Sequence, residues 1–87
     1  MSQISQEKKE KIKEEILRVL YESYPEFMYT YNIADSIIRD NEFSLALLKE
    51  LQKNNLIIHI EESKGNKVKR KWCLTNLAYN KYKELLS

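Results

Sequence analysis

Lys64, Lys67, Lys69, Arg70 and Lys71 place five cations within eight residues. In KVKRKWCL (67–74) a strand period of two puts Lys67, Lys69 and Lys71 on one face, with Val68, Arg70, Trp72 and Leu74 on the other. A ribbon with ammonium groups along one face suits a polyanion. Each lysine that neutralises a phosphate releases counterions, so such binding weakens steeply with salt. The same lysines would also protect a strand edge from pairing with other chains. Other chemistry is scarce. The single histidine, His59, lies in LIIHIEE and the single cysteine, Cys73, in WCLT. A Cys/His dyad across adjacent strands is the one nucleophilic arrangement available, and both residues read more simply as ordinary strand side chains. One cysteine forms no internal disulfide and supplies too few ligands for zinc, so neither metal nor cofactor is expected. With one glycine (Gly65) and one proline (Pro25), no GxGxxG or GxxxxGK phosphate loop exists. A non-enzyme is expected.

These side chains need elements to position them, and 87 residues leave room for one domain, 1–87. No apolar run approaches the roughly 20 residues that span a bilayer, and MSQISQEKKEK lacks the apolar core of a secretory signal. The expectation is a cytoplasmic protein with no membrane partner. Apolar spacing of three and four predicts a helix over 5–24, capped by Ser5, with Ile12, Ile16, Val19 and Leu20 on one face. Pro25 ends it, because the residue before proline leaves the α region. A link, PEFMYT, leads to a second helix over 30–39, capped by Thr30 or Asn32, with Ile33, Ile37 and Ile38 inward. A third helix over 41–53 follows the Asp40–Asn41 break, with Phe43, Leu45, Leu47, Leu48 and Leu51 forming its apolar stripe. Asn54–Asn55 closes it, since asparagine tolerates the left-handed conformation. The period then falls to two: strands over 56–62 and 67–74 flank the turn SKGN. Thr75 caps a last helix over 75–86, with Leu77, Ala78, Tyr82 and Leu85 or Leu86 inward. The class is α+β, mainly α.

IADSIIRDNEFSLALLKELQKNNLI (33–57) resembles the helix-turn-helix run of winged helix-turn-helix domains, the kind found in small bacterial and archaeal transcription regulators. Ile33-Ala34 is similar to the pair that begins the family's first helix of the motif. Leu48-Lys49-Glu50-Leu51, 14 residues after Ala34, is similar to its Leu-x-x-Leu ending. Asn55-Leu56-Ile57 stands where the family has Gly-Leu-Ile, and WCLTNLAYNKYKEL (72–85) resembles its exit from the second wing strand. The resemblance covers roughly residues 12–86. It implies three helices, a two-stranded wing and a C-terminal helix, with double-stranded DNA as partner. Lys64, Lys67, Lys69, Arg70 and Lys71 would then bind phosphates. The third helix, which enters the major groove in this family, carries no Arg or Lys before Lys49. Its base-reading candidates are Asn41, Ser44, Lys49 and Gln52.

Charge is uneven along the chain. Residues 1–25 balance, residues 26–62 carry a net −4, and residues 63–87 a net +6, within a total of +2. The first and last helices commonly build the dimer interface in this family, so Ile12, Ile16, Tyr21, Tyr24, Tyr79 and Tyr82 are candidates for a homodimer contact, where aromatic residues are enriched. Tyr29 and Tyr31 begin the second helix within reach of a phosphate, and Trp72 belongs to the core. A dimeric DNA-binding transcription regulator is the leading expectation. The acidic, leucine-bearing third helix keeps a protein-interaction module as an alternative, and RNA binding is a third.

Overall fold

Ser5 starts the first helix: its side chain accepts a hydrogen bond from the Lys8 N–H, which would otherwise lack a partner. The computed structural model describes residues 5–86, so residues 1–4 and 87 of the expected domain lie outside the described residues. Helix α1 (Gln6–Ser23) buries Ile12, Ile16 and Leu20 along one stripe and ends before Pro25, with Tyr24 already extended at ψ 138°. The link then contributes something the sequence pattern did not predict. Strand β1 (Met28–Tyr29) pairs with the second wing strand, Met28 opposite Trp72 and Tyr29 opposite Lys71. Two residues are too few for any periodicity to show.

Helix α2 (Thr30–Ser36) is shorter than the expected 30–39. Ile37 is its C-cap, and the Arg39 N–H reaches back to the Ala34 carbonyl while the Ile38 N–H reaches Asp35, a Schellman ending. Ile38 therefore sits at φ +56°, and its side chain is 88% exposed rather than inward. Thr30 is not a cap either. Its hydroxyl accepts from the Trp72 indole N–H at 2.8 Å and donates to the Arg70 carbonyl, because β1 draws it against the sheet. Helix α3 (Asn41–Lys53) is capped by Asp40, whose carboxylate accepts from the Phe43 N–H at 2.7 Å. It too closes on a Schellman ending, with Asn55 at φ +62° as its composition suggested.

Strands β2 (Ile57–Lys64) and β3 (Lys67–Leu74) pair in register from Ile57–Leu74 to Lys64–Lys67, around a two-residue turn with Gly65 at φ +63°. β3 is the central strand of the antiparallel sheet β1-β3-β2. The core joins Ile12, Ile16, Leu20, Ile33, Ile37, Leu47, Leu48, Leu51, Ile57, Trp72 and Leu74. Helix α4 (Asn76–Leu86) is started by Thr75, whose hydroxyl accepts from the Ala78 N–H. Tyr79 stacks on both Tyr21 and Tyr24, at centroid separations of 5.0 and 3.9 Å, and this orients α4. The Ala78, Tyr79 and Tyr82 side faces α1, while Leu77, Leu85 and Leu86 stand exposed instead of inward.

Candidate nucleic-acid interface

Pairing across the hairpin decides which cations are free. The register puts Tyr29, Ile60, Glu62, Lys64, Lys67, Lys69 and Lys71 on one face and His59, Glu61, Ser63, Val68, Arg70 and Trp72 on the other. At the base, Arg70 Nε lies 3.0 Å from Glu61, and Lys71 Nζ lies 3.1 Å from Glu62, which also accepts from the Tyr29 hydroxyl. The Tyr29 hydrogen bond and then the Lys71 ammonium hold the Glu62 carboxyl below its ordinary pKa. The same contacts raise the Tyr29 phenol and the Lys71 ammonium. The acidic end of one sequence segment thus folds onto the basic start of the next. At the tip there is no such compensation: among the described residues, Lys64 and Lys67 have neither a hydrogen bond nor an ion pair. Lys69 lies over the stacked rings of Tyr29 and Tyr31, 5.7 and 5.8 Å from their centroids. Of the five expected phosphate-binding residues, three remain available and two are engaged with carboxylates.

The base-reading candidates separate in the same way. Asn41 is exposed at the first position of α3. It lines a cleft of about 260 Å³ with Tyr31, Glu42, Leu45, Lys69 and Arg70, so the start of α3 and the wing share one surface. Lys49 is exposed one face-turn further along. Ser44 is fully buried and its hydroxyl has no partner, so it is withdrawn from any base edge: it lies among the Leu47, Leu48 and Leu51 side of the helix. Gln52 turns toward β2, where its Oε1 lies 2.8 Å from His59 Nδ1. The outward stripe is instead Glu42, Ala46, Lys49 and Lys53, with Leu45 half-buried beside it.

Two dimer candidates are also corrected. Ile12 and Ile16 are enclosed in this chain's own core, because the α1 stripe that looked free faces α3 and the sheet. Tyr21, Tyr24, Tyr79 and Tyr82 stack within the chain and are only partly covered. His59 and Cys73 project from opposite faces of the sheet, since they occupy alternate registers, so no dyad forms. Cys73 is buried beside the Pro25 carbonyl, and burial raises its thiol pKa. Sequence inspection also missed Lys13, which is buried between Glu10 at 3.3 Å and Glu50 of α3 at 2.7 Å. The spacing showed only Glu10.

Solved structures share this arrangement. Staphylococcus aureus MepR in its DNA-binding conformation matches with a TM-score of 0.73 at 17% identity, over 86% of this chain and 54% of that one. A mutant of Lactococcus lactis ZitR, a zinc-responsive MarR family member, matches with a TM-score of 0.70 at 26% identity, over 87% of this chain and 49% of that one. The fold is a winged helix-turn-helix. A MepR mutant bound to an oligodeoxyribonucleotide has the same winged helix, with a TM-score of 0.66 at 17% identity over 86% of this chain and 58% of that one. This winged helix spans about half the length of the chains it matches. No protein-family model and no curated protein matches the sequence. Among the described residues of this winged helix, no group of three or more His, Cys, Asp or Glu side chains is placed to hold a metal ion, and no helix is long and apolar enough to cross a membrane.

Proposed function

We propose that this chain is a transcription regulator that binds duplex DNA, with the wing tip on the phosphate backbone and α3 in the major groove. Lys64, Lys67 and Lys69 carry the reading. They are three cations at the protruding end of a winged helix, and among the described residues none of them forms an ion pair with a carboxylate. Arg70 and Lys71 hold the base of the wing through Glu61 and Glu62, and Asn41 and Lys49 are the remaining exposed candidates for base edges. The role is one of binding rather than catalysis, exercised in the cytoplasm where the DNA is. Three phosphate contacts per protomer give a log–log salt slope of about −2.7 for one protomer and about −5.4 for a dimer with both wings engaged. Affinity for a duplex then falls about fortyfold and about a thousandfold or more, respectively, between roughly 50 and 200 mM salt. A gel-shift titration at both salt concentrations measures this. Failure to bind any duplex at about 50 mM salt, where phosphate contacts are strongest, rejects the proposal, and preference for a structured RNA competitor redirects it.

The chain acts as a homodimer through α4. Leu77 and Leu85 are each 79% exposed and Leu86 is 62% exposed, beside a groove of about 350 Å³ that Leu17, Leu56 and Ala78 also line. A monomer leaves this apolar ridge in water, whereas a second copy covers it. Sedimentation equilibrium is expected to give a dimer, and Leu77→Gln/Leu85→Gln a monomer. A monomeric parent chain at about 100 μM, well above the Kd of an ordinary stable interface, rejects this part.

A further inference from the structure

We infer that α3 selects a pyrimidine-rich strand, with Glu42 accepting a hydrogen bond from a cytosine 4-amino group and Ala46 and Leu45 packing on thymine 5-methyl groups. The inference rests on the DNA-binding reading above and deepens it. The outward stripe of α3 runs Glu42, Ala46 and Lys49, with half-buried Leu45 beside it, and Glu42 and Leu45 line the cleft shared with the wing. Ser44 is buried and Gln52 is held by His59, so beside Asn41 the first turns of α3 present Glu42 and Ala46, with the exposed edge of half-buried Leu45.

The major groove offers distinct chemistry at each base, and these side chains match only part of it. An ionised carboxylate accepts and cannot donate, so it is repelled by the acceptor edges of guanine (N7 and O6) and satisfied by the cytosine 4-amino group. Methyl and isobutyl groups gain from the thymine methyl, the one apolar feature on the groove floor. Among the described residues Glu42 has neither a hydrogen bond nor an ion pair, so its acceptor capacity is unused within the chain. The same carboxylate is repelled by phosphates, so it lowers affinity for every duplex that lacks a donor at its position. That combination gives discrimination by penalty as well as by contact.

The test is a selection from random duplexes with the full chain, followed by titration of the enriched duplex and its variants. Enriched half-sites are expected to carry cytosine next to thymine. Replacing each contacted thymine with uracil, which removes only the methyl, is expected to lower affinity about fourfold per methyl. Glu42→Gln is expected to shift the enriched base from cytosine to adenine, whose N6 and N7 a glutamine amide matches. It is also expected to raise affinity for unselected duplex through the lost charge, but the change of base is the readout that a merely structural role for Glu42 would not produce. Enrichment without cytosine, indifference to uracil, or a Glu42→Gln variant with unchanged selection overturns the inference. Duplex binding without base preference overturns it alone, whereas absence of duplex binding overturns the DNA-binding reading as well.

Discussion

The base and the tip of the wing share one alternating sequence and have opposite surroundings. From Trp72 to Leu74, β3 is buried on both faces, because it is the central strand and has core on one side and the Pro25 segment on the other. From Ile60 to Lys69 every residue is exposed. Alternation reports which side chains share a face, but not how far along the strand each face stays covered. The cations divide at the same boundary, with Arg70 and Lys71 paired to glutamates and Lys64, Lys67 and Lys69 without an ion pair, Lys69 lying over the Tyr29 and Tyr31 rings. Buried contacts are therefore concentrated at one end of the hairpin and positive charge without an ion pair at the other.

The largest effect is expected at the base. Trp72→Ala removes a fully buried indole and its hydrogen bond to Thr30, and is expected to cost about 3–5 kcal/mol, enough to unfold much of a domain this small. Chemical denaturation followed by circular dichroism measures it, and parent-like unfolding would erase the distinction between base and tip. At the tip the expectation reverses. Lys64→Glu/Lys67→Glu/Lys69→Glu is expected to weaken duplex binding about a hundredfold or more at low salt with an unchanged melting temperature. Lys71→Gln at the base is expected to change affinity less than about threefold, since its charge is already matched and an exposed pair contributes little. Comparable losses from both variants would show that the wing binds along its whole length.

Two ion pairs extend the comparison to pH. Lys13 holds Glu50 below the ordinary glutamate pKa, chiefly through the hydrogen bond between them, and Glu50 in turn raises Lys13. A depressed carboxylate stabilises above its unfolded pKa, about 4.3, and that contribution is lost as pH falls through the folded value. The raised lysine stabilises below its unfolded pKa, about 10.4, and loses this as pH rises through its folded value. The link between α1 and α3 is thus complete across the neutral range. Because Glu50 is half exposed, it is expected to contribute only about 1 kcal/mol. Lys13→Met should flatten the acid limb of the stability profile, and Lys71→Met at the wing should flatten it less, because the Tyr29 hydroxyl still holds Glu62 low. The smallest effect is expected in α3, where Ser44→Ala removes a buried hydroxyl without a partner and should raise stability by about 0.5–1 kcal/mol, measured by urea titration.

Much of this architecture was legible in the residues. Asp40, Asn55, Gly65 and Thr75 are local signals, each acting on backbone within a few residues, and each stands at the break it was expected to mark. Ile38 shows the limit. A β-branched residue at φ +56° contradicts local preference, and the α2 ending imposes it because Ile37 must enter the core while Arg39 leads to α3. The site was legible in part: the basic run and Asn41 were visible, whereas the burial of Ser44 and the partners of Arg70 and Lys71 were not. Ser44 was misplaced because a helix period fixes relative angles among residues but not the centre of the buried arc.

Composition, period and caps by themselves determined the helix, helix, helix, strand, strand, helix order and the concentration of cations near the turn, all consequences of short-range preferences. The hairpin register, with Lys64 opposite Lys67 around a two-residue turn, came from strand pairing. Tertiary structure alone decided which cations stay free, because Glu61 and Glu62 meet Arg70 and Lys71 only once the strands pair. It also decided the added strand at Met28–Tyr29, the pairing of Lys13 with Glu50 and the outward turn of Leu77 and Leu85. Each depends on contacts between residues far apart in the chain, and no local period encodes which distant surface a side chain will meet.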